Sequence, residues 1–170
     1  GARHRKLGIP GEERLLGMGV SYCATCDGAF FRGKTVAVAG GGDVALEDAL
    51  FLARGCEKVY LIHRREEFRG VRILQEKVKE TTNIELVLNC NVTEIRGENQ
   101  VSSILVHDKK TDSDRELEVQ GIFIAVGTEP NIAAVKGMVE QDEQGYILAG
   151  EDTRTSVEGV YAAGDVRTKQ

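Results

Sequence analysis

Two sets of residues carry chemistry by their type and spacing. The first is Cys23-Ala24-Thr25-Cys26, with Asp27 directly after it. A C-x-x-C pair is either half of a zinc site or a redox dithiol in which one thiol ionises and attacks. A second pair is absent, and His4, His63 and His107 have no ligand spacing, so no metal is expected. Ala24 and Thr25 are small and leave the sulfurs accessible, and Asp27 is placed to give or take a proton. Cys56 and Cys90 stand alone and read as semi-buried bystanders.

The second set begins with Gly40-Gly41-Gly42-Asp43-Val44-Ala45, which fits G-x-G-x-x-A. Glycines let the main chain turn tightly and let a pyrophosphate approach a helix N-terminus, where free N–H groups favour anions. The same pattern is also a tight turn that packs a helix on a strand. About 20 residues further on, an NAD site has Asp or Glu for the ribose 2′-hydroxyl. This chain instead has His63-Arg64-Arg65, then Arg69. Paired guanidiniums bind a 2′-phosphate by charge-assisted hydrogen bonds, so the expected ligand is NADPH. The plainer alternative is a solvated charge run paired with Glu66 and Glu67. His63 is expected to touch the adenosine ribose or its phosphate.

The elements around these residues give the motifs their meaning. Residues 34–39 read as a buried strand, 43–54 as a helix and 58–62 as a second buried strand, together a βαβ unit. A second helix is predicted over 70–81. Short strands at 84–88, 91–96, 101–108 and 115–119, separated by polar turns, read as an antiparallel meander. Residues 121–126 return to a continuous apolar run, as in a doubly covered parallel strand. Two short strands are predicted at 146–149 and 159–163, and residues 1–33 read as irregular. The fold class is α/β: a Rossmann-like dinucleotide-binding domain of parallel sheet plus meander.

Composition narrows the partners. The chain has 170 residues and a net charge of −5, which speaks against nucleic acid. No apolar run approaches the ~20 residues that cross a bilayer, and no signal segment opens the chain. A soluble, cytoplasmic protein is expected. The chain starts with Gly1 rather than Met, which suggests part of a longer product. A disulfide does not take hydride from nicotinamide directly at useful rates, so a flavin is needed between them. Only one glycine fingerprint is visible.

The order and spacing of five segments resemble the low-molecular-weight, bacterial-type thioredoxin reductases. The segments are 22–28 around the dithiol, 40–45, 63–69, Ala125-Val126-Gly127-Thr128-Glu129-Pro130-Asn131, and Gly159-Val160-Tyr161-Ala162-Ala163-Gly164-Asp165-Val166. The resemblance covers essentially the whole chain and implies a two-domain FAD/NAD(P)-binding flavoprotein. It implies residues 1–30 as a remnant of the FAD domain and linker, 31–155 as the NADPH domain, and 156–170 as a second FAD-domain remnant. Joints between two domain orientations would lie near residues 28–33 and 151–156.

The resemblance also assigns roles. Cys23 would attack thioredoxin, Cys26 would face the flavin, and Asp27 would be the acid/base. Gly40, Gly42, Asp43 and Val44 would line the pyrophosphate, and His63, Arg64, Arg65 and Arg69 would hold the 2′-phosphate end. Val126 and Tyr146 match further NADPH contacts, and Asp165 would bind the flavin ribityl chain. Val44 stands where a small hydroxyl residue is common. Electrons would pass from NADPH through FAD to Cys23–Cys26 and then to thioredoxin. FAD would belong to the full-length protein, a homodimer, and the chain alone would bind NADPH without turning over thioredoxin. The alternatives are a related NADPH-dependent flavin disulfide reductase with another thioredoxin-like partner, and a nucleotide-binding module with a structural C-x-x-C.

Overall fold

A computed structural model describes residues 1–168; the last two residues of the expected 156–170 remnant lie outside the described residues. The chain runs through β1 (Ala2–His4), β2 (Val20–Ser21), α1 (Ala24–Asp27), a 3₁₀ turn (Gly28–Phe31), β3 (Thr35–Ala39) and α2 (Asp43–Ala53). It continues through β4 (Lys58–His63), α3 (Arg72–Glu80), β5 (Ile84–Leu88), β6 (Cys90–Arg96), β7 (Ser103–Asp108) and β8 (Ser113–Glu118). β9 (Gly121–Ile124), β10 (Thr128–Pro130) and a last 3₁₀ turn (Gly164–Val166) follow.

Residues 6–127 form one compact unit. Its centre is a five-stranded sheet in the order β2-β9-β3-β4-β5, parallel throughout. Side chains alternate across a strand, and both faces of β3 are apolar for that reason. Val36 and Val38 pack with Ala45, Leu46, Ala49 and Leu52 of α2. Ala37 and Ala39 face the other way, toward Val92, Ile95, Ile104, Val106 and Leu117 of the antiparallel sheet β6-β7-β8. The unit is thus three layers: helices, parallel sheet, antiparallel sheet. Each fully buried Val or Leu contributes about 1.5–3 kcal/mol.

Three sequence expectations need correction. Residues 84–88 are a strand, but they pair in parallel with β4 and do not join the meander. Asn89, at φ 58°, turns the chain out of that sheet before β6 begins. Residues 1–33 are not wholly irregular: β2 pairs with β9, and β1 pairs antiparallel with β10. The strands predicted at 146–149 and 159–163 reduce to isolated bridges of Ile147 with Gln141 and Arg167, and of Tyr161 with Arg154. The Asp142 carboxylate accepts the amides of Gln144 and Tyr146, both at 2.9 Å. That turn uses backbone a longer ladder would need.

The second compact unit is Gly1–Arg5 with the chain from Thr128 onward, around Val139, Ile147, Ala149 and Ala162. The two compact units meet along the chain at 5/6 and 127/128. Residues 6–30 supply Leu15, Val20 and Ala24 to the cores of the larger unit.

A buried carboxylate organises that segment. Glu12, 1% exposed, accepts the amides of Leu7 (3.0 Å) and Gly8 (2.8 Å) and the Tyr22 hydroxyl (2.6 Å). Burial and the Glu12 carboxylate push the Tyr22 phenol well up from its ordinary range.

Candidate nucleotide and dithiol site

The glycine loop leaves the C-terminal end of β3. A Cβ on Gly40 would lie 2.3 Å from the Ala125 carbonyl oxygen and 2.8 Å from the Ala45 Cβ. The next strand and the helix thus approach the loop as closely as a bare backbone permits. A Cβ on Gly41 would lie 2.2 Å from Nδ1 of His63, whose ring rests against the loop. Gly42 is different: a Cβ there would meet no atom within 4 Å. It is the N-cap of the 11-residue α2 and provides no side-chain cap. The Cβ side of this cap is therefore open, at the end of α2 that carries the positive end of the helix dipole. Asp43 and Val44 are exposed beside them, Val44 at 63%.

The arginine-bearing loop is stitched to this turn. The amides of Arg69 (2.7 Å) and Gly70 (3.2 Å) donate to the Gly41 carbonyl, and the Val71 amide donates to Asp43 Oδ1 (2.7 Å). Arg64, Arg65 and Arg69 are exposed, and among the described residues none of them makes an ion pair. Glu66 instead pairs with Lys110 at 3.1 Å. The charge run is thus not neutralised from within, and the backbone of Arg69 is bonded to the glycine loop.

His63 is 4% exposed, stacks on Phe68 with ring centroids 5.5 Å apart, and places Nε2 3.1 Å from the Glu67 carbonyl. Nε2 is thereby occupied, and the ring supports the two loops from behind. Burial holds the imidazole below its ordinary value; the Glu67 carbonyl opposes this, while Arg69, Arg64 and Arg65 add to it. Above the unfolded-state value of about 6.5 the ring is neutral in both states. Below it the unfolded chain takes up a proton that the folded ring resists, so stability falls as pH falls. Asp48, pushed up to about 6 by burial and by Glu47, acts with the opposite sign in the same window. Denaturant unfolding at about pH 7.5 and about pH 5.5 should therefore show an acid-side change that is less destabilising for His63→Asn than for wild type, the Asp48 contribution being common to both.

The dithiol lies in the same compact unit. Cys23 and Cys26 are joined as a disulfide with Cα atoms 5.3 Å apart. Cys23 caps the short helix α1, and the Cys26 amide donates to Cys23 Sγ at 3.2 Å. That contact favours negative charge on this sulfur when the bond opens. Cys26 is the more exposed of the two. The following turn packs on α2, where a Cβ on Gly28 would meet Leu52 at 3.0 Å and Phe51 at 3.1 Å. α2 thus serves both sites: its first turn faces the glycine loop and its last turns support the cysteines.

The chain matches the pyridine nucleotide-disulphide oxidoreductase family over residues 1–170. It belongs to that family. It is 47% identical over 167 residues to thioredoxin reductase of Mycolicibacterium smegmatis, covering 98% of this chain and 54% of that protein. It is 47% identical over 169 residues to that of Treponema pallidum, covering 99% and 55%. The crystal structure of Lactococcus lactis thioredoxin reductase superposes with a TM-score of 0.92 at 42% identity, over 100% of this chain and 56% of that one. The chain spans about half the length of these relatives.

The remaining expected site residues divide between the units. Val126 is half-buried beyond β9, against the core of the larger unit. Tyr146 lies in the smaller unit, its hydroxyl 3.2 Å from Thr128 Oγ1. Asp165 is exposed on the last 3₁₀ turn of the smaller unit. Cys56 and Cys90 are free and buried, and burial pushes both thiols up. Among the described residues no helix is long and apolar enough to cross a membrane, and no three His, Cys, Asp or Glu groups are arranged to hold a metal. Glu12 and Ser21 were not expected at the site. Ser21 carried a signal, since a serine two residues before a turn residue commonly caps that turn.

Proposed function

We propose that the chain is the nucleotide-binding and dithiol part of a thioredoxin reductase, passing electrons from NADPH through FAD to Cys23–Cys26 and on to the disulfide of thioredoxin. One observation carries this reading. A glycine loop at a helix N-terminus is bonded through its backbone to the loop that carries three exposed arginines without ion pairs, in the compact unit that also holds the disulfide. The space over Gly42 fits a pyrophosphate, held by the backbone of Gly40, Gly42, Asp43 and Val44. Arg64, Arg65 and Arg69 hold the 2′-phosphate, His63 supports them, and Val126 adds a further NADPH contact. Asp165 would bind the flavin ribityl chain in the full-length protein.

NADPH supplies hydride, and bound flavin supplies its conversion to an electron pair that a disulfide accepts. The cysteines and Asp27 do the rest. Cys23 as thiolate attacks the thioredoxin disulfide, breaking that bond and forming a mixed disulfide. Cys26 then attacks Cys23 sulfur, releasing the second thioredoxin thiol and restoring Cys23–Cys26. Asp27 takes the Cys26 proton in that step. The whole reductase is read as a cytoplasmic homodimer whose partner is thioredoxin, with neither nucleic acid nor membrane.

Fluorescence titration of the purified chain with NADPH and with NADH tests this. Binding of NADPH about a thousandfold tighter than NADH is expected, the worth of about two charge-assisted hydrogen bonds with a remainder from the third arginine. Equal affinities would overturn the assignment.

A further inference from the structure

We propose that Ser21 is a positioning residue for the dithiol chemistry, its hydroxyl holding the Asp27 carboxylate and the Cys23 backbone in one arrangement. The inference rests on the reading of Asp27 as the proton carrier. Ser21 is the last residue of β2, pinned to β9 in the parallel sheet and only 5% exposed. A hydroxyl has one hydrogen to donate and two lone pairs to accept with. Ser21 Oγ lies 2.6 Å from Asp27 Oδ2, within the range of a charge-assisted O–H···O⁻ bond. The Cys23 amide donates to the same Oγ at 3.0 Å, and the Cys23 carbonyl lies 3.3 Å away.

Ser21 occupies Oδ2, so the proton exchanged with sulfur rides on Oδ1, which accepts no hydrogen bond among the described residues. Without the hydroxyl the carboxylate rotates freely, and fewer of its orientations present Oδ1 to the dithiol. The same oxygen satisfies the Cys23 amide, which α1 cannot satisfy because Cys23 is its cap. One anchored side chain therefore ties the proton carrier to a reacting cysteine.

Reduction of Cys23–Cys26 by dithiothreitol isolates this chemistry. The Asp27 carboxylate takes the proton of a dithiothreitol thiol as its sulfur attacks one cysteine, the protein S–S bond breaks, and its electron pair leaves on the other sulfur, which takes that proton from Asp27. The second dithiothreitol thiol then closes its own disulfide and releases the remaining cysteine. Two electrons and two protons pass to the protein.

Rates are read by quenching, alkylation and mass for wild type, Ser21→Ala, Asp27→Asn and the double variant, with thermal midpoints checking the fold. Ser21→Ala should slow reduction about tenfold, and Asp27→Asn about a hundredfold. Because Ser21 acts through Asp27, the double variant should stay within about twofold of Asp27→Asn. Multiplying penalties, or Ser21→Ala at the wild-type rate beside a slow Asp27→Asn, would overturn the role of Ser21 and leave Asp27 standing. Asp27→Asn at the wild-type rate would instead overturn the reading of Asp27 itself. If Ser21→Ala lowers the midpoint, Ser21→Thr against its isostere Ser21→Val replaces it: the threonine variant should be about tenfold faster. Equal rates would overturn the proposal.

Discussion

With Arg64 and Arg65 both changed to alanine, NADPH should bind about a hundredfold or more weakly, while NADH changes by no more than about twofold. Each charge-assisted hydrogen bond contributes roughly 1.5–3 kcal/mol, so two are worth at least about a hundredfold. Both side chains are exposed, so solvent and salt hold the effect toward the low end. Arg69 remains in the double variant and keeps part of the attraction. Calorimetry at two ionic strengths checks this: the difference between wild type and variant should shrink as salt rises. A loss that is equal for the two nucleotides would mean that the arginines hold the loop rather than the 2′-phosphate.

Gly40→Ala should be the most damaging single methyl group in the chain's nucleotide loop, and Gly42→Ala should separate folding from binding. At Gly40 the new carbon would lie 2.3 Å from a backbone carbonyl of Ala125, at φ 154°. Neither β9 nor α2 can yield without moving the core they bury, so a loss of about 2–4 kcal/mol is expected. A denaturant midpoint measures it. At Gly42 the carbon would meet nothing, and φ is −92°. Stability should hold within about 0.5 kcal/mol. Nucleotide affinity should still fall, because the methyl would occupy the space through which a phosphate reaches the α2 amides. Gly42→Ala with undiminished NADPH binding would remove the pyrophosphate from this turn.

The parts legible in the sequence share one property: their signal is local. The β3-loop-α2-β4 unit is written in apolar runs broken by three glycines, and the arginines follow at a fixed offset. The C-x-x-C pair needs no more than its own spacing. What the sequence did not show depends on distant partners. Nothing in residues 84–88 says whether that strand pairs with the strand before it in parallel or with the one after it. Glu12 looks like any surface glutamate until the amides of Leu7 and Gly8 fold back onto it. His63 sits at the right offset for a ligand contact, yet the absence of a Cβ at Gly41 draws its ring beneath the loop. The tail runs at 146–149 and 159–163 are apolar enough for strands but lack continuous partners.

The pairing of β2 with β9 bears on how such a protein can be taken apart. A nucleotide-binding piece begun at residue 31 would have a raw sheet edge. It would lose Leu15, Val20 and Ala24 from its interior. The amides of Ile95, Val101 and Ile122 would lose Pro10, Met18 and Gly19 as acceptors. An unpaired apolar strand is a template for other chains, so that piece would trade a folding problem for an aggregation problem. The cysteines therefore cannot be cut from the nucleotide-binding sheet without wounding it.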